Sequence, residues 1–580
     1  MKKQERKELL FMIKEMIENQ KKCLCLIVIG TIISSLFVSM SAYLDKEIVD
    51  SIQAFQKNKL LQWLILNFIV DVLLVLLSNQ LEIKRAEFSY ETSIQFTKKV
   101  IGKIKKLRFE VLEEKENLDR MERVYDQSEQ VSDIIHQMIR LFSRITTVIS
   151  YVIVLGTVAW YFPVITIILT VPYFVMLKKQ GFERYEQEVE ISTDTRKIGY
   201  LFQVLSRREY QKEIKTFALT SYLSNKYFAL RKNLWDKRKK LLVRHSLMAI
   251  AVTFVKNSSF LICMGITCIL IVKGKTSIGS FMLLISVIEG LRNSTVEILE
   301  ILGSYNEKGL YLHDFYEFMQ FQEEQEEANA VAIEGKTIEV KNVSFRYPNA
   351  KQWALHHISA AIRENEIVAI VGENGSGKST FVHLLLGLYE PQSGDIFVGQ
   401  YPLSEVLEDM REKTGCLLQS FNQYQMTIKE NLTNQDEITK EEWKQVRKLL
   451  GFVEELPEGI ETVLGQLEEK GIELSGGNWQ RLALARAFLK QESEFLILDE
   501  PVSAFDPKVE NEIYYQLREV CKNKTTILIS HRLSVTQVCD RILVFDKGRI
   551  VEEGTHEQLM KQKGKYFSMY QAQQNLYQSE

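Results

Sequence analysis

The nine residues Gly372–Thr380 read GENGSGKST and match the pattern G-x-x-x-x-G-K-[ST]. They follow an apolar run typical of a buried strand, Ile367–Val371, and open an apolar helical run, Phe381–Leu388. Glycines at these spacings let backbone N–H groups curl around phosphates, and the N-terminus of the following helix adds its positive end. The stretch therefore predicts a phosphate-binding loop between a strand and a helix. Its candidate binding residues are Gly372, Glu373, Asn374, Gly375, Ser376, Gly377, Lys378, Ser379 and Thr380.

Two residues of this loop and two further positions extend this prediction to nucleotide hydrolysis. We expect Lys378 to bind β- and γ-phosphate oxygens and Ser379 to ligate Mg²⁺. A second apolar run, FLILD, ends in Asp499 and is followed by Glu500. Asp499 is expected to hold Mg²⁺ through water, and Glu500 to polarise the attacking water. An acidic strand end alone is as often structural, so it is the phosphate loop that favours the catalytic interpretation.

The chain after Gly335 alternates short β-rich runs with helical segments. That alternation predicts an α/β domain with a largely parallel sheet. The formal net charge of -2 gives no support for nucleic-acid binding. Seven scattered cysteines form no paired C-x-x-C framework, which argues against a zinc site or a disulfide scaffold.

The first half of the chain carries six apolar runs, and most have about the 20 residues that cross a hydrocarbon core of about 30 Å. We predict spans at 23–44, 60–79, 141–161, 164–177, 247–272 and 278–302. Two charge-rich connectors, after the second and the fourth span, contain no proline and favour continuous helix. The basic N-terminus places both on the cytoplasmic side.

These patterns predict a multidomain protein of the cell membrane, multi-pass, with a cytoplasmic nucleotide-binding domain. The expected domains are a lead-in helix at 1–22, a six-helix transmembrane domain at 23–320, a linker at 321–336 and the α/β domain at 337–580. Four charged residues inside the spans are candidates for lining a cavity: Asp71, Lys256, Glu289 and Arg292. For Glu289 and Arg292, simple pairing at i, i+3 stays open.

The stretch Leu474–Asn478 reads LSGGN and precedes a helical run. Here the sequence resembles the ATP-binding-cassette (ABC) family, whose signature is LSGGQ; Asn478 departs from it but keeps an amide. The resemblance implies that the signature acts in trans, on the γ-phosphate of ATP bound to a partner subunit. The residues expected to do so are Ser475, Gly476, Gly477 and Asn478.

Other positions match the family in order. The resemblance implies that Tyr347 stacks on adenine, that Gln419 senses Mg²⁺ and that His531 contacts the γ-phosphate. Ser503–Asp506 resembles the loop that couples two ATP sites. Taken alone, Tyr347 and His531 would more often be packed structural residues, and Gln419 would carry no information.

The layout of six spans and one cassette resembles exporter-type half-transporters. It implies ATP hydrolysis coupled to export by alternating access, in a dimer embedded in membrane lipid, with ATP and Mg²⁺ as cofactors. A homodimer is the simpler expectation because Glu500 and the signature are both present. A heterodimer with a degenerate partner stays open.

The cargo is predicted by analogy alone. Gln419–Leu432, and an element before the signature about three residues longer than usual, are similar to bacterial exporters of peptides such as lanthipeptides. Lipid or hydrophobic-drug export, import through an exporter-like fold, and a non-transporting ATP sensor stay open. Residues 1–22 contain no His and no Cys, so we expect no cargo-cleaving cysteine protease there.

Overall fold

The computed structural model describes residues 3–114, 117–118, 120–121, 124, 128–158, 160–324, 332–348, 350–433, 438–467, 469–490, 493–502, 513 and 517–578. The chain forms two compact units. The first comprises Met1–Leu107 and Glu114–Gln322, and the second Arg108–Glu113 and Glu323–Glu580. A short segment from an early connector therefore belongs to the second unit, which the predicted domain boundaries did not anticipate.

The first unit is predominantly helical in its described part. Its helices are α1 (Lys3–Gln53), α2 (Lys57–Lys106), α4 (Ser128–Val158), α5 (Tyr161–Ser206), α6 (Arg208–Thr216), α7 (Thr220–Val272) and α8 (Ile278–Met319). α2, α5 and α7 have 50, 46 and 53 residues, more than twice the length that crosses a bilayer. Each predicted span therefore continues into a connector without a break. α1 bends at Gln20, whose φ of -127° is not helical.

Five segments in the described part are long and apolar enough to cross a membrane. They are Gln20–Gln53, Lys57–Lys106, His136–Gly156, Tyr161–Arg184 and Thr220–Val272. The sixth predicted span, 278–302, lies in α8 and does not reach the same hydropathy, because Glu289 and Arg292 interrupt its apolar run. The most apolar window of α2 is only 6% buried within the protein, which suits a helix that faces lipid.

The buried face of α8 forms the centre of the helical unit. Leu283, Leu284, Val287, Ile288 and Leu291 are at most 1% exposed and cluster with apolar residues of α1, α4 and α7. α8 therefore packs inside the bundle, which explains why it can carry charged residues on its remaining face.

The second unit contains two sheets. A six-stranded sheet has the order β10-β9-β3-β8-β7-β6, and a four-stranded antiparallel sheet has the order β2-β1-β4-β5. The strands are β1 (Ile338–Phe345), β2 (Leu355–Ile362), β3 (Ile367–Gly372), β4 (Ser393–Val398), β5 (Tyr401–Pro402), β6 (Thr414–Leu417), β7 (Phe495–Asp499), β8 (Thr525–Ile529), β9 (Arg541–Asp546) and β10 (Arg549–Gly554). In the larger sheet only β10 is antiparallel to its neighbour, so the predicted α/β fold with a largely parallel sheet is confirmed.

Helices surround these sheets. They are α3 (Phe109–Glu113), α9 (Lys378–Leu385), α10 (Leu403–Glu412), α11 (Ile428–Leu432), α12 (Lys440–Val446), α13 (Gly476–Leu489), α14 (His556–Gln562) and α15 (Lys565–Gln578). Every residue of β3, β7 and β8 is buried. Parallel strands that are covered on both faces consist of nearly continuous apolar residues. This is why the sequence predicted these strands.

Candidate nucleotide-binding and hydrolysis site

The parallel strands bring four predicted segments to one edge of the larger sheet. β3 leads into the phosphate loop, β7 ends at Asp499, β8 is followed by His531, and β6 is followed by Gln419. β3 pairs with β8, β8 with β7, and β7 with β6, all in parallel. Carboxyl ends of parallel strands share one edge, where ligands of open α/β sheets bind.

The phosphate loop folds back over its own lysine. The side chain of Lys378 is buried, and its Nζ donates to the carbonyls of Gly372 and Glu373, at 2.9 Å each. Gly377 has a φ of +105°, and a Cβ there would lie 2.7 Å from the carbonyl oxygen of Ala354, so the loop requires glycine at this position. Burial lowers the pKa of Lys378, against an opposing effect of Asp499 and Glu500.

One buried hydroxyl in this loop lacks a partner. Ser376 is 3% exposed, and its Oγ makes no hydrogen bond. An unsatisfied buried hydroxyl costs about 1–3 kcal/mol. A phosphate oxygen would accept a hydrogen bond from this hydroxyl. The loop is therefore suited to an anionic ligand.

A hydroxyl and a carboxylate meet beside the loop. Ser379 Oγ donates to Asp499 Oδ2 at 3.1 Å. Burial raises the pKa of Asp499 to about 6; the Ser379 hydrogen bond and Lys378 oppose that rise. A buried, under-compensated carboxylate next to a hydroxyl fits a hard cation such as Mg²⁺. No cluster of three or more His, Cys, Asp or Glu suited to a metal occurs among the described residues, and Mg²⁺ in phosphate sites needs only one or two carboxylates.

Glu500 is held in an unusual backbone conformation. Its φ is +51°, in the left-handed region that non-glycine residues rarely adopt. Two hydrogen bonds hold it there: its N–H donates to the carbonyl of Ile529 at 2.9 Å, and its carbonyl accepts from Gln480 Nε2 at 2.8 Å. Such strain persists only where surrounding contacts enforce it, and it concentrates at functional sites. The direction of the carboxylate is therefore set by β8 and α13.

His531 and Glu500 face each other across this edge. His531 Nε2 lies 3.1 Å from Glu500 Oε1. Burial lowers the pKa of His531, nearby Lys378 lowers it further, and Glu500 opposes both. The imidazole is therefore neutral near pH 7, and one ring nitrogen can accept a proton or a hydrogen bond.

Tyr347 lies beside the helix that leaves the phosphate loop. Its hydroxyl is 3.1 Å from Thr380 Oγ1 and 3.4 Å from His383 Nδ1. Its ring is half-buried and packs edge-on against Phe345 and Tyr389. The structure therefore places Tyr347 next to the loop, with part of its ring accessible.

The signature residues begin α13 at the surface. Ser475 Oγ accepts from the N–H of Asn478 at 3.3 Å and so caps the helix. Ser475 and Gly476 are exposed, which leaves this helix N-terminus open to an approaching group. The same helix carries Gln480, whose contact with Glu500 was not predicted, because a lone helical glutamine has no recognisable spacing.

Two backbone hydrogen bonds close the base of the longer element that precedes the signature. Gly465 N–H donates to the carbonyl of Ile472 at 3.0 Å, and Ile472 N–H donates to the carbonyl of Val463 at 2.9 Å. Between these bonds Leu467 projects into solvent with 78% exposure. Leu467 therefore lies on an exposed part of this element.

Three of the four predicted cavity residues of the helical unit, Asp71, Glu289 and Arg292, have local partners. Asp71 accepts from Ser41 at 2.9 Å, whereas Arg292 lies 3.5 Å from Glu289 and donates to Asn257 at 3.4 Å. These contacts support pairing of Glu289 with Arg292, and they do not join Asp71 to that pair. The side chain of Lys256 and the whole of Ser503–Asp506 lie outside the described residues.

Comparison with known proteins finds a matching family model and relatives that are similar over nearly the whole chain. Residues 355–503 match a family model described as ABC transporter. The chain is 31% identical to the subtilin transport ATP-binding protein SpaT of Bacillus subtilis, over 96% of this chain and 93% of that protein. It is 25% identical to the nisin transport ATP-binding protein NisT of Lactococcus lactis subsp. lactis, over 97% and 95%.

Two further known proteins match different shares of the chain. An ATP-dependent lipid A-core flippase of Alkalilimnicola ehrlichii is 40% identical, over 41% of each chain. A solved structure of a bacterial Atm1-family ABC exporter with ATP bound matches with a TM-score of 0.79 and 23% identity, covering 94% of this chain and 98% of that one. The fold match extends through both units.

Proposed function

This chain belongs to the ABC transporter family, and on that premise we propose that it is one half of a dimeric pump that exports a ribosomally made, modified peptide. It is a multi-pass membrane protein with a C-terminal nucleotide-binding domain, and its ATP hydrolysis is coupled to export. The observation that carries the residue assignment is the meeting of Lys378, Asp499, Glu500 and His531 at one sheet edge.

Binding of ATP would use the phosphate loop. Lys378 would exchange its two loop carbonyls for phosphate oxygens, and the Ser376 hydroxyl would gain an acceptor. Ser379 and Asp499, with Gln419, would hold Mg²⁺, which supplies neutralisation of phosphate charge. The accessible part of the Tyr347 ring would stack on adenine.

Hydrolysis would rest on the strained Glu500. Its carboxylate would accept a hydrogen bond from the attacking water and so orient it toward the γ-phosphate. Neutral His531, now 3.1 Å from that carboxylate, would turn to the γ-phosphate when ATP is bound. Its pairing with Glu500 would restrain the carboxylate until ATP binds.

A complete site would need two chains. The signature N-terminus of α13 is exposed and would meet the γ-phosphate held by the partner's loop. Because one sequence supplies the loop, Glu500 and the signature, a homodimer provides two equivalent sites. Mixing chains that carry Lys378→Ala with chains that carry Ser475→Arg tests this proposal, because only the mixed dimer has one intact site. Recovery of ATPase activity is expected on mixing, and none is expected in either preparation alone.

The extent of the likenesses favours a peptide cargo. The subtilin and nisin transport proteins match over nearly the whole chain, including the helical unit, whereas the lipid A flippase matches over 41%. A match over nearly the whole chain includes the helical unit that would cross the membrane, so it bears more on the cargo than a match over part of the chain.

The test of this proposal is stimulation of ATPase activity. The purified chain, reconstituted in vesicles, would be given three kinds of compound: thioether-bridged peptides with and without their leader, lipid A, and hydrophobic cationic drugs. We expect stimulation by a peptide and no response to lipid A or drugs. Stimulation by lipid A alone would overturn the peptide assignment and leave the ATPase assignment intact.

A further inference from the structure

The C-terminal helix α15 contacts the segment that carries His531. Gln573 Nε2 donates a hydrogen bond to the backbone carbonyl of His531. His531 lies two residues beyond β8, in a turn where Ser530 Oγ donates to the Arg532 carbonyl at 3.0 Å and accepts from the Arg532 N–H at 2.9 Å. The turn that presents the imidazole is therefore held from outside the sheet by one side-chain amide.

α15 is itself firmly anchored. The Glu552 carboxylate accepts from the backbone N–H groups of Lys565 and Tyr566, which caps the first turn of the helix. Tyr566 is fully buried, and its hydroxyl lies 2.8 Å from Thr536 Oγ1 and 2.7 Å from His556 Nδ1. Thr536 follows His531 by five residues, so α15 fixes both the turn and the segment after it.

A second contact links the start of α15 to the phosphate loop. Lys565 Nζ lies 2.7 Å from Asp546 Oδ1 and 3.5 Å from Glu373 Oε1. Glu373 is the second residue of the phosphate loop and is mostly exposed, so this ion pair is weak. The contact of Gln573 is the stronger candidate for an effect on hydrolysis, because it reaches the backbone of His531 itself.

We propose that Gln573 is a positioning residue for ATP hydrolysis, which acts by fixing the peptide plane of His531 and hence the direction of its imidazole. This inference rests on the role proposed above for His531. A neutral hydrogen bond of this kind contributes about 0.5–1.5 kcal/mol. Its loss would therefore lower kcat about 2- to 13-fold, because the bond orients the imidazole in the transition state. The KM for ATP would hardly change, because Gln573 touches no ligand.

The experiment compares three variants of Gln573 in the full-length chain. Gln573→Leu and the near-isosteric Gln573→Glu both remove the donor, and Gln573→Lys restores one. We expect a lower kcat with an unchanged KM for the first two, and a return toward the wild-type kcat for the third. Gln571→Leu and Gln574→Leu are matched controls, because both glutamines are exposed on the same helix. Rates are normalised to ATP sites titrated in each preparation, so misfolded protein does not contribute.

A double-mutant cycle with His531→Ala separates this inference from the proposed function. If Gln573 acts through His531, Gln573→Leu should cause no further loss of the residual rate in the His531→Ala background. An equal loss in both backgrounds would overturn the inference, as would a Gln573→Glu variant that behaves like the controls. If His531→Ala itself retains wild-type turnover, the proposed role of His531 fails instead.

Discussion

The two units differ in how the fold positions their charged and functional residues. In the nucleotide-binding unit, functional residues follow the ends of fully buried strands, and their positions are fixed by parallel pairing. In the helical unit, charged residues lie on long helices and contact local partners, such as Glu289 with Arg292. The first arrangement allows side-chain roles to be derived from geometry. In the second, the charged residues pair with neighbours, which fits a role in holding the long helices together.

The largest expected effect concerns Glu500. Glu500→Gln keeps the shape of the side chain but removes the carboxylate that orients water, so ATPase activity should fall about 10²- to 10⁴-fold. ATP binding should persist, because Lys378 and the phosphate loop are unchanged. Measurement of both turnover and equilibrium ATP binding checks this prediction. Turnover near that of the wild type would remove Glu500 from its proposed role.

A smaller effect is expected from pH. The pKa of Asp499 is raised to about 6 by burial, so protons compete with Mg²⁺ for this carboxylate as pH falls through that value. The apparent Mg²⁺ affinity should drop about tenfold between pH 7 and pH 5. Titration of ATPase activity with Mg²⁺ at each pH measures this affinity. Asp499→Asn is the control, because it removes the titrating group. A flat profile in the wild type would show that the cation does not contact Asp499.

The same pH change should also act on folding, with the opposite sign. A carboxyl whose pKa is raised in the folded state contributes stability below its unfolded pKa of about 3.9 and loses that contribution as pH rises through about 6. In the absence of Mg²⁺ and ATP, Asp499→Asn should therefore stabilise the chain more at pH 7 than at pH 5. Thermal unfolding of both chains at the two pH values would reveal this difference.

The last prediction concerns stability rather than activity and tests packing in the helical unit. A Cβ at Gly279 would lie 2.4 Å from the carbonyl oxygen of Lys46 and 2.4 Å from Asp50 Oδ1, whereas a Cβ at Gly265 would meet nothing within 4 Å. Gly279→Ala should destabilise the unit by about 1–3 kcal/mol, because α1 and α8 must separate. Gly265→Ala is the matched control and should not lower the unfolding temperature. Equal unfolding temperatures for both variants would contradict the close approach of these helices.

Sequence reasoning predicted the fold class. It selected the phosphate loop, Asp499 and Glu500 because they follow apolar strand-like runs, and it selected His531 through the resemblance to the ABC family. It missed Gln480 and Gln573, since a glutamine that bonds a distant carbonyl carries no local pattern. The sixth predicted span lies in α8 as expected, and this helix is less apolar than the other five because one face packs inside the bundle.

The domain boundaries show a different limit. Arg108–Glu113 belongs to the nucleotide-binding unit although the sequence around it belongs to the helical unit. Phe109 packs edge-on against Tyr389 at 5.7 Å, and Arg108 lies 3.3 Å from Glu390. The membership of this segment in the nucleotide-binding unit depends on tertiary contacts between residues far apart in the chain. Composition and periodicity cannot reveal such contacts.

The central claim is that hydrolysis at the sheet edge drives peptide movement through the helical unit. Its most direct test is uptake of a thioether-bridged peptide into vesicles that hold the pump with its nucleotide-binding unit outside. With ATP and Mg²⁺, wild-type vesicles should accumulate the peptide, and Glu500→Gln vesicles should not. Equal accumulation by both, or ATP hydrolysis in the wild type without any accumulation, would contradict the account.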